Sequence, residues 1–339
     1  MSPVLAQRLA AQHLTSPAKR VVDAARRLLA LQGQDLAAVK WALGVRTAGA
    51  TEADVDAAFD AGLLVRAWPL RGTLHVVPAD ELAWLQALTA ERNLARARGR
   101  HRELGLDERD VQRARRAAED ALAGKHAHTR EEFMALLERA KVSTAGQRGY
   151  HLIWTLSQLG VVCWGPLRDG EQCLVLQREW LPQTGLPTRE EALARLAARY
   201  FDGHGPATLE DLAWWTGLPK SDFAGLAVPQ PPAVRARSRT LLLPGFDEYF
   251  LGYADRTACC DERHLTRVCP GGNGVFQPML VVDGRVVGTW KRELRKKELR
   301  VTLEPFDGAL PDVSDALTAL ERYFGLPVST APSRRGRGG

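Results

Sequence analysis

The sequence lacks any apolar run that approaches the roughly 20 residues needed to cross a bilayer. Its first residues also lack the basic-then-apolar order of a secretory signal peptide. Cysteine is scarce: five residues, an odd number spread over 339, do not make a disulfide framework. We therefore expect a cytoplasmic protein with no membrane contact.

Several catalytic motifs are missing too. The sequence has no phosphate-binding G-x-x-x-x-G-K-[ST] loop, no dinucleotide G-x-G-x-x-G, no zinc-binding H-E-x-x-H and no esterase G-x-S-x-G. These absences argue against nucleotide hydrolysis, dinucleotide redox chemistry, zinc proteolysis and ester cleavage.

One group of residues could bind a metal: Cys259, Cys260, His264 and Cys269. Its spacing departs from the paired cysteines of structural zinc sites, and adjacent cysteines rarely bind one ion comfortably. We expect incidental thiols, no metal and no cofactor.

The composition is that of a globular protein, with 45% apolar and 25% charged residues, and the length suits two to four domains. The formal charge of +6 favours a polyanionic partner. Two explanations of an arginine-rich stretch are equally good, a solvated helical face or a phosphate-binding surface. Its members are Arg92, Arg96, Arg98, Arg100, Arg102, Arg113, Arg115 and Arg116.

An apolar helix leads into Gln32. Its stripe includes Val21, Ala25 and Leu28, and the same spacing reaches Gln32, which should therefore face inward. Gly33 can adopt a positive φ and end this helix, and Asp35 can cap the next one. Gln34 would then lie in the joint between two helices.

The order of elements predicts an α+β fold with tandem winged helix-turn-helix domains. Strand-like runs at residues 63–68 and 72–77 follow the first helices, and runs at 161–164 and 172–177 follow a second helix pair that Thr129 begins. A third, shorter copy begins at Thr208.

After a proline-rich linker at residues 227–233, the periodicity changes to two. We expect strands at 240–243, 249–253, 279–282, 285–290 and 297–303, with a hairpin turn at Asp283-Gly284. They would form a small C-terminal antiparallel β-barrel. The predicted divisions are a first winged helix at 1–79, a second at 80–185, a third with the linker at 186–233, the barrel at 234–325 and a disordered basic tail at 326–339.

Three polar features could carry chemistry. Asp247 and Glu248 would point to opposite faces of a strand, which favours turn chemistry and a salt bridge to an arginine such as Arg256. His75 is a lone histidine on a half-apolar strand, more often a structural group than an acid or base, although it lies near the joint of the first unit. A buried Gln32 implies either a structural hydrogen bond or a polar cavity.

Four segments resemble the AlkZ/YcaQ family of bacterial DNA glycosylases, and together they extend over nearly all of the chain. They are LQGQDL at residues 31–36, RGTLHVVP at 71–78, LLPGFDEYFLGY at 242–253 and VDGRVVGTWK at 282–291, of which the third is the most specific.

The resemblance implies tandem winged helices and a β-barrel around a DNA channel, and excision of N7-alkylated purines, including crosslinks and bulky natural-product adducts. Gln32 and Gln34 match the catalytic Gln-x-Gln motif of the AlkZ-like branch. Gly33 departs from the aliphatic residue that is usual between them. The implied partner is double-stranded DNA carrying alkylated purines, and we expect a monomer.

The chemistry suits two amides. An N7-alkylguanine is already cationic and needs no general acid to leave, so two carbonyl oxygens can orient a water below C1′. No lysine is adjacent to form a Schiff base, which predicts a monofunctional enzyme. Candidate DNA contacts are Arg46, Arg71, His75, Lys291 and Arg292.

Two alternatives stay open from the residues alone. Helix-turn-helix units are common in non-catalytic DNA-binding regulators, although these normally dimerise to read half-sites. A resistance protein that sequesters a genotoxin or its adduct without excision would share the same architecture.

Overall fold

The computed structural model describes residues 1–331 and shows a mixed α+β protein. Its helices are α1 Pro3–Ala11, α2 Val21–Leu28, α3 Leu36–Gly44, α4 Glu52–Asp60, α5 Ala79–Glu103, α6 Glu108–Ala121, α7 Arg130–Arg139, α8 Arg148–Gln158, α9 Gln177–Trp180, α10 Arg189–His204, α11 Leu209–Thr216, α12 Glu248–Leu251, α13 Glu262–Val268 and α14 Ser314–Phe324. In the described range, no helix combines the length and apolar character that a bilayer span requires.

The strands form two five-stranded sheets. They are β1 Leu31–Gln32, β2 Leu64–Leu70, β3 Thr73–Pro78, β4 Val162–Arg168, β5 Glu171–Leu176, β6 Thr240–Leu243, β7 Met279–Val282, β8 Arg285–Leu294, β9 Leu299–Pro305 and β10 Val328–Ala331. The first sheet has the order β1-β3-β2-β4-β5 and is antiparallel. The second has the order β10-β9-β8-β7-β6.

The second sheet is open, so the prediction of a closed antiparallel barrel is wrong. Its edge strands β6 and β10 do not pair with each other, and β10 runs parallel to β9. Helix α14 packs against both edge strands.

Helix α2 ends well before Gln32, contrary to the sequence prediction. Leu29 takes a φ of 65° and ends the helix, a role that the sequence had suggested for Gly33. The chain then extends, and β1 pairs with β3 so that Gln32 lies opposite His75. Gln32 is nevertheless buried, with only 8% of its surface exposed. It is buried as a residue of an edge strand in a covered sheet, rather than on the inward face of a helix.

The strand-like runs predicted in the first two units pair as two hairpins. The first consists of β2 and β3, and the second of β4 and β5. The two hairpins join into one sheet where Arg66 of β2 pairs with Trp164 of β4. Capping boxes begin α4 at Thr51 and α7 at Thr129, which satisfies free N–H groups at both helix starts.

The third unit has its helices but no hairpin. Thr208 begins α11 through a capping box with Asp211, as predicted. Among the described residues, however, no strand lies between Leu176 and Thr240. A wing is therefore absent there, and the predicted domain boundaries stay predictions.

A helix replaces one predicted strand at residues 249–253. The Oδ1 atom of Asp247 accepts a hydrogen bond of 2.8 Å from the N–H of Tyr249, which begins the short helix α12. The turn predicted at Asp283-Gly284 is confirmed, since its two residues have φ values of 50° and 81°.

Part of the segment predicted to be a disordered tail, residues 326–339, is ordered. Residues 328–331 form β10, whose backbone pairs with the otherwise open edge of β9, from Val328 opposite Leu299 to Ala331 opposite Thr302. Residues 332–339, including Arg334, Arg335 and Arg337, lie outside the described residues.

Buried contacts join the N-terminal helices to the second sheet. The indole N–H of Trp41 in α3 donates to the carbonyl of Leu242 in β6 at 2.7 Å. The guanidinium of Arg46 donates to both carboxylate oxygens of Asp247 at 2.7 and 2.8 Å, and neither side chain has exposed surface. These segments therefore pack as one body despite their separation in sequence.

We expect Asp247→Ala to lower the free energy of unfolding by about 3–5 kcal/mol, because it leaves the buried Arg46 guanidinium unpaired. Urea denaturation of the DNA-free protein measures the effect. The control is Lys291→Ala, which breaks an exposed ion pair with Glu304 and should cost less than about 1 kcal/mol. Equal losses in the two variants would show that the buried pair contributes nothing special.

Candidate active site

The structure brings the two predicted catalytic glutamines together. The Nε2 group of Gln32 donates a hydrogen bond to Oε1 of Gln34, and the backbone N–H of Gln34 lies 3.4 Å from Oε1 of Gln32. Gln32 is buried, whereas Gln34 is exposed. Each carbonyl oxygen accepts one hydrogen bond and keeps a second lone pair, so the pair retains acceptors for a water molecule.

The β2/β3 hairpin holds the residue between the glutamines. The N–H of Gly33 donates to the carbonyl of Leu74 at 2.7 Å, and the guanidinium of Arg66 donates to the carbonyl of Gly33 at 3.2 Å. A Cβ atom at position 33 would lie only 3.2 Å from the nitrogen of Val76 and 3.3 Å from the carbonyl carbon of His75. Glycine thus permits this close approach, and hydrogen bonds to the hairpin fix the loop.

Glu248 is a site residue whose role the sequence did not reveal. Its side chain is 2% exposed, and its Oε1 atom accepts the backbone N–H of Gln32 at 2.9 Å. Its Oε2 atom accepts the indole N–H of Trp215 at 3.0 Å and lies 3.5 Å from Nε2 of His204. The carboxylate therefore holds the backbone of Gln32, and with it the amide pair, in place.

The ionised form of Glu248 is favoured in spite of burial. Burial alone would raise the pKa of this carboxyl. The hydrogen bond and charge of His204, with the N–H of Gln32, act in the opposite direction, and the pKa lies below its usual value. Glu248 is therefore an anion at neutral pH.

The salt bridge to an arginine that the sequence predicted is present at Asp247, but Arg256 is not its partner. Asp247 binds Arg46 instead. The guanidinium of Arg256 lies 4.9 Å from the ring centre of Trp214, and its Nε donates to the carbonyl of Phe250 at 3.0 Å. The two carboxylates lie at the start of a helix, where each finds its own buried partner, rather than on a strand.

Two of the predicted DNA contacts are wrong because the side chains are buried. Arg46 has no exposed surface and is bound to Asp247. His75 is also fully buried, its Nδ1 lies 2.8 Å from the carbonyl of Thr73, and burial lowers its pKa to about 4. His75 is therefore a neutral imidazole inside the sheet, out of reach of a phosphate.

The other three candidate DNA contacts have solvent-exposed surface. Lys291 is exposed on β8. Arg71 and Arg292 are half-buried, and their guanidinium carbons lie 4.3 Å from the ring centre of Trp214 and 4.6 Å from that of Phe324. Burial lowers the pKa of both. Phosphate contact by Lys291, Arg71 and Arg292 stays a prediction.

A cleft of about 470 Å³ opens beside Gln34, between the first hairpin and the second helical unit. Arg66 and Trp68 contribute from β2, and burial lowers the pKa of Arg66 to about 10. The period-two alternation of this strand could have placed both residues on one face. The cleft is also lined by Tyr150 of α8 and by Trp164 of β4, the strand that pairs with β2. No local pattern predicts that these residues meet.

The cysteine-rich segment does not form a metal site. Within residues 1–331, no three His, Cys, Asp or Glu side chains are arranged to hold an ion. His264 Nε2 lies 3.0 Å from the carboxylate of Asp307. Burial raises the pKa of Cys259 to about 12 and that of Cys260 to about 11, so both are unreactive thiols at neutral pH.

Comparisons with known proteins agree with this arrangement. Residues 25–324 match the family described as DNA glycosylase AlkZ-like. The chain is 26% identical over 328 residues to the interstrand DNA cross-link repair glycosylase of Streptomyces sahachiroi, a match that covers 85% of this chain and 86% of that one. The solved structure of Streptomyces sahachiroi DNA glycosylase AlkZ has the same fold, with a TM-score of 0.78, 24% identity, and coverage of 97% of this chain and 98% of that one.

The family match extends over most of the chain and includes both glutamines and Glu248. It sets aside the two non-catalytic alternatives, the regulator and the sequestering protein. The chain belongs to the AlkZ-like family and is a DNA glycosylase.

Proposed function

We propose that this enzyme hydrolyses the N-glycosidic bond of N7-alkylated guanine in DNA, with Gln32 and Gln34 holding the attacking water. The observation that carries the proposal is the coupled amide pair. One member is buried against Glu248, and the other faces solvent at the edge of a cleft.

Neutral acceptors suit this leaving group. An N7-alkylguanine departs as a neutral base, so the reaction needs no proton donor, and the sugar acquires positive charge as the bond breaks. Fixed carbonyl dipoles then offer partial negative charge to the sugar and orient the water at the same time. Unmodified purines are poor leaving groups under these conditions and should not be released.

Glu248 is a positioning residue in this mechanism. It binds the backbone of Gln32 rather than the water, so it fixes the side chain that does the chemistry. Trp215 and His204 hold the carboxylate in turn. Because side-chain geometry decides how well water is oriented, a support of this kind affects turnover more than substrate binding.

We infer that the two helix-and-hairpin units act as winged helices on duplex DNA. Helices α2 to α4 precede the first hairpin, and α7 and α8 precede the second. We also propose bulky adducts or crosslinks as natural substrates, which is supported by the similarity to a Streptomyces sahachiroi protein named for interstrand cross-link repair.

The enzyme should be monofunctional. The lysine closest in sequence to the pair is Lys40, and its side chain is 10% exposed. Its amine is held by Glu52 at 2.8 Å and by Asp56 at 2.7 Å. An amine held by two carboxylates is not free to attack C1′.

We expect Gln32→Ala and Gln34→Ala each to lower kcat by about 100-fold, because water positioning in the transition state typically contributes 10²–10⁴. The measurement is release of free base from duplex DNA with one 7-methylguanine. Gln183→Ala, at an exposed glutamine of a distant loop, is the matched control and should keep full activity. Undiminished release by the double variant of Gln32 and Gln34 would refute the catalytic assignment.

Two substitutions of Glu248 distinguish its role in positioning Gln32 from any effect of its negative charge. Glu248→Gln keeps an oxygen for the N–H of Gln32, so we expect a loss of at most about tenfold in kcat. Glu248→Ala leaves that N–H unpaired and should cost about 100-fold, with little change in KM. The wild type and both variants should keep a flat profile of kcat between about pH 6 and pH 9, because the pKa of Glu248 lies below its usual value and the variants have no carboxyl at this position. If Glu248→Ala matched the wild type, the residue would have no positioning role.

Borohydride tests the monofunctional prediction. We expect it to trap no covalent complex with substrate DNA, and the product to be an intact strand with an abasic site. A trapped complex that disappears in Lys40→Gln would instead assign a Schiff-base mechanism to that lysine.

A further inference from the structure

The cleft beside Gln34 contains hydrogen-bonding groups that hydrolysis does not use. Trp164 is 7% exposed and Gln172 is 5% exposed, and both line the cleft. Among the described residues, the indole N–H of Trp164 and the Oε1 atom of Gln172 have no hydrogen-bond partner. Leaving such groups buried and unpaired destabilises the free protein, and a bound ligand with matching groups would recover that loss.

The orientation of Gln172 is fixed. Its Nε2 group donates to the carbonyl of Gly165 at 3.0 Å, so its oxygen is not free to exchange places with the nitrogen. Arg66 also lines the cleft, and its buried Nε–H is a further donor without a partner in residues 1–331. Two donors and one acceptor without partners therefore belong to residues that line the same cleft.

The walls are aromatic. Trp68 and Tyr150 meet edge to face with ring centres 6.1 Å apart, and the guanidinium of Arg66 lies 5.6 Å from the ring centre of Trp164. Tyr150 is 41% exposed and presents a ring to the open side. A volume of about 470 Å³ falls within the usual range for sites that enclose a small ligand, about 300–1,000 Å³.

We propose that this cleft binds a planar aromatic group with an oxygen acceptor, carried as the N7 substituent of the alkylated guanine. The inference rests on the proposed function, because Gln34 is both a member of the amide pair and part of the cleft wall. A substituent on the base whose bond is cut lies next to the attacking water, so the cleft is placed to receive it.

Charge favours the substituent over the purine as occupant. N7-alkylguanine is cationic, and Arg66 and Arg130 place two positive charges in the cleft against the single carboxylate of Glu171. A cationic purine would be repelled there. A neutral group with a carbonyl oxygen would accept from the N–H groups of Trp164 and Arg66 without that penalty.

Binding to uncleavable DNA tests the site without base release. The probes are duplexes with 7-deazaguanine that carries at position 7 a methyl group, a planar aryl group, or the same aryl group joined through a carbonyl. We expect the wild type to bind the carbonyl-aryl duplex about tenfold more tightly than the methyl duplex, as one aromatic contact provides. Fluorescence anisotropy measures these affinities.

Matched variants assign the preference to the cleft. Tyr150→Ala should remove most of the preference for either aryl duplex. Leu159→Ala, at the other end of the same helix and 42% exposed, lies outside the cleft and should retain the preference. Trp164→Phe keeps the ring but removes the N–H, so it should abolish the advantage of the carbonyl-aryl over the plain aryl duplex.

The outcomes separate this proposal from the proposed function. Equal affinity of the wild type for methyl and aryl duplexes would overturn the cleft assignment, as would identical behaviour of Tyr150→Ala and Leu159→Ala. A clear aryl preference with no release of 7-methylguanine would instead refute the proposed reaction and leave the binding site standing.

Discussion

The hydrogen bond from the backbone of Gln32 to the carboxylate of Glu248 is the contact on which the site depends. It joins residues 216 positions apart in sequence and connects the edge of the first sheet to the start of helix α12. The adjacent Asp247 binds Arg46, so one dipeptide secures the N-terminal helices and the amide pair together. A buried charge is tolerated only when its partners are fixed, and this requirement makes the arrangement rigid.

The distribution of charge around the pair suits the proposed reaction. The groups proposed to face the sugar are neutral amides, which is sufficient for a cationic base that leaves without a proton donor. The anionic carboxylate of Glu248 binds the backbone N–H of Gln32. It therefore orients Gln32 and does not compete with the amides for water. His75, on the strand paired with Gln32, is held neutral by burial, so no positive charge lies there to oppose a cationic sugar.

Gly33 illustrates how a local departure from a motif is compensated. An aliphatic residue would fix the loop by packing, but here the hairpin backbone lies too close for a side chain without adjustment. Hydrogen bonds to Leu74 and from Arg66 provide the same constraint. Arg66 also lines the cleft, so the residue that holds the loop is part of the space beside the pair.

The sequence by itself determined the local elements and pointed to Gln32 and Gln34 as the candidate catalytic pair. The helix starts at Thr129 and Thr208, the two strand pairs of the first sheet and the Asp283-Gly284 turn all formed as their residues indicated, because each depends on neighbours within a few positions. Gln32 and Gln34 were found from a motif in the same way.

Only the tertiary structure decided how those elements meet. Sheet pairing ended helix α2 at Leu29 and turned Gln32 into a strand residue, an outcome that helical periodicity cannot anticipate. The second sheet stayed open with helix α14 packed against both of its edge strands, and partners far along the chain gave Asp247 and Glu248 separate roles. Burial, charge pairing and sheet closure depend on contacts between residues remote in sequence, and such contacts exist only after the chain has folded.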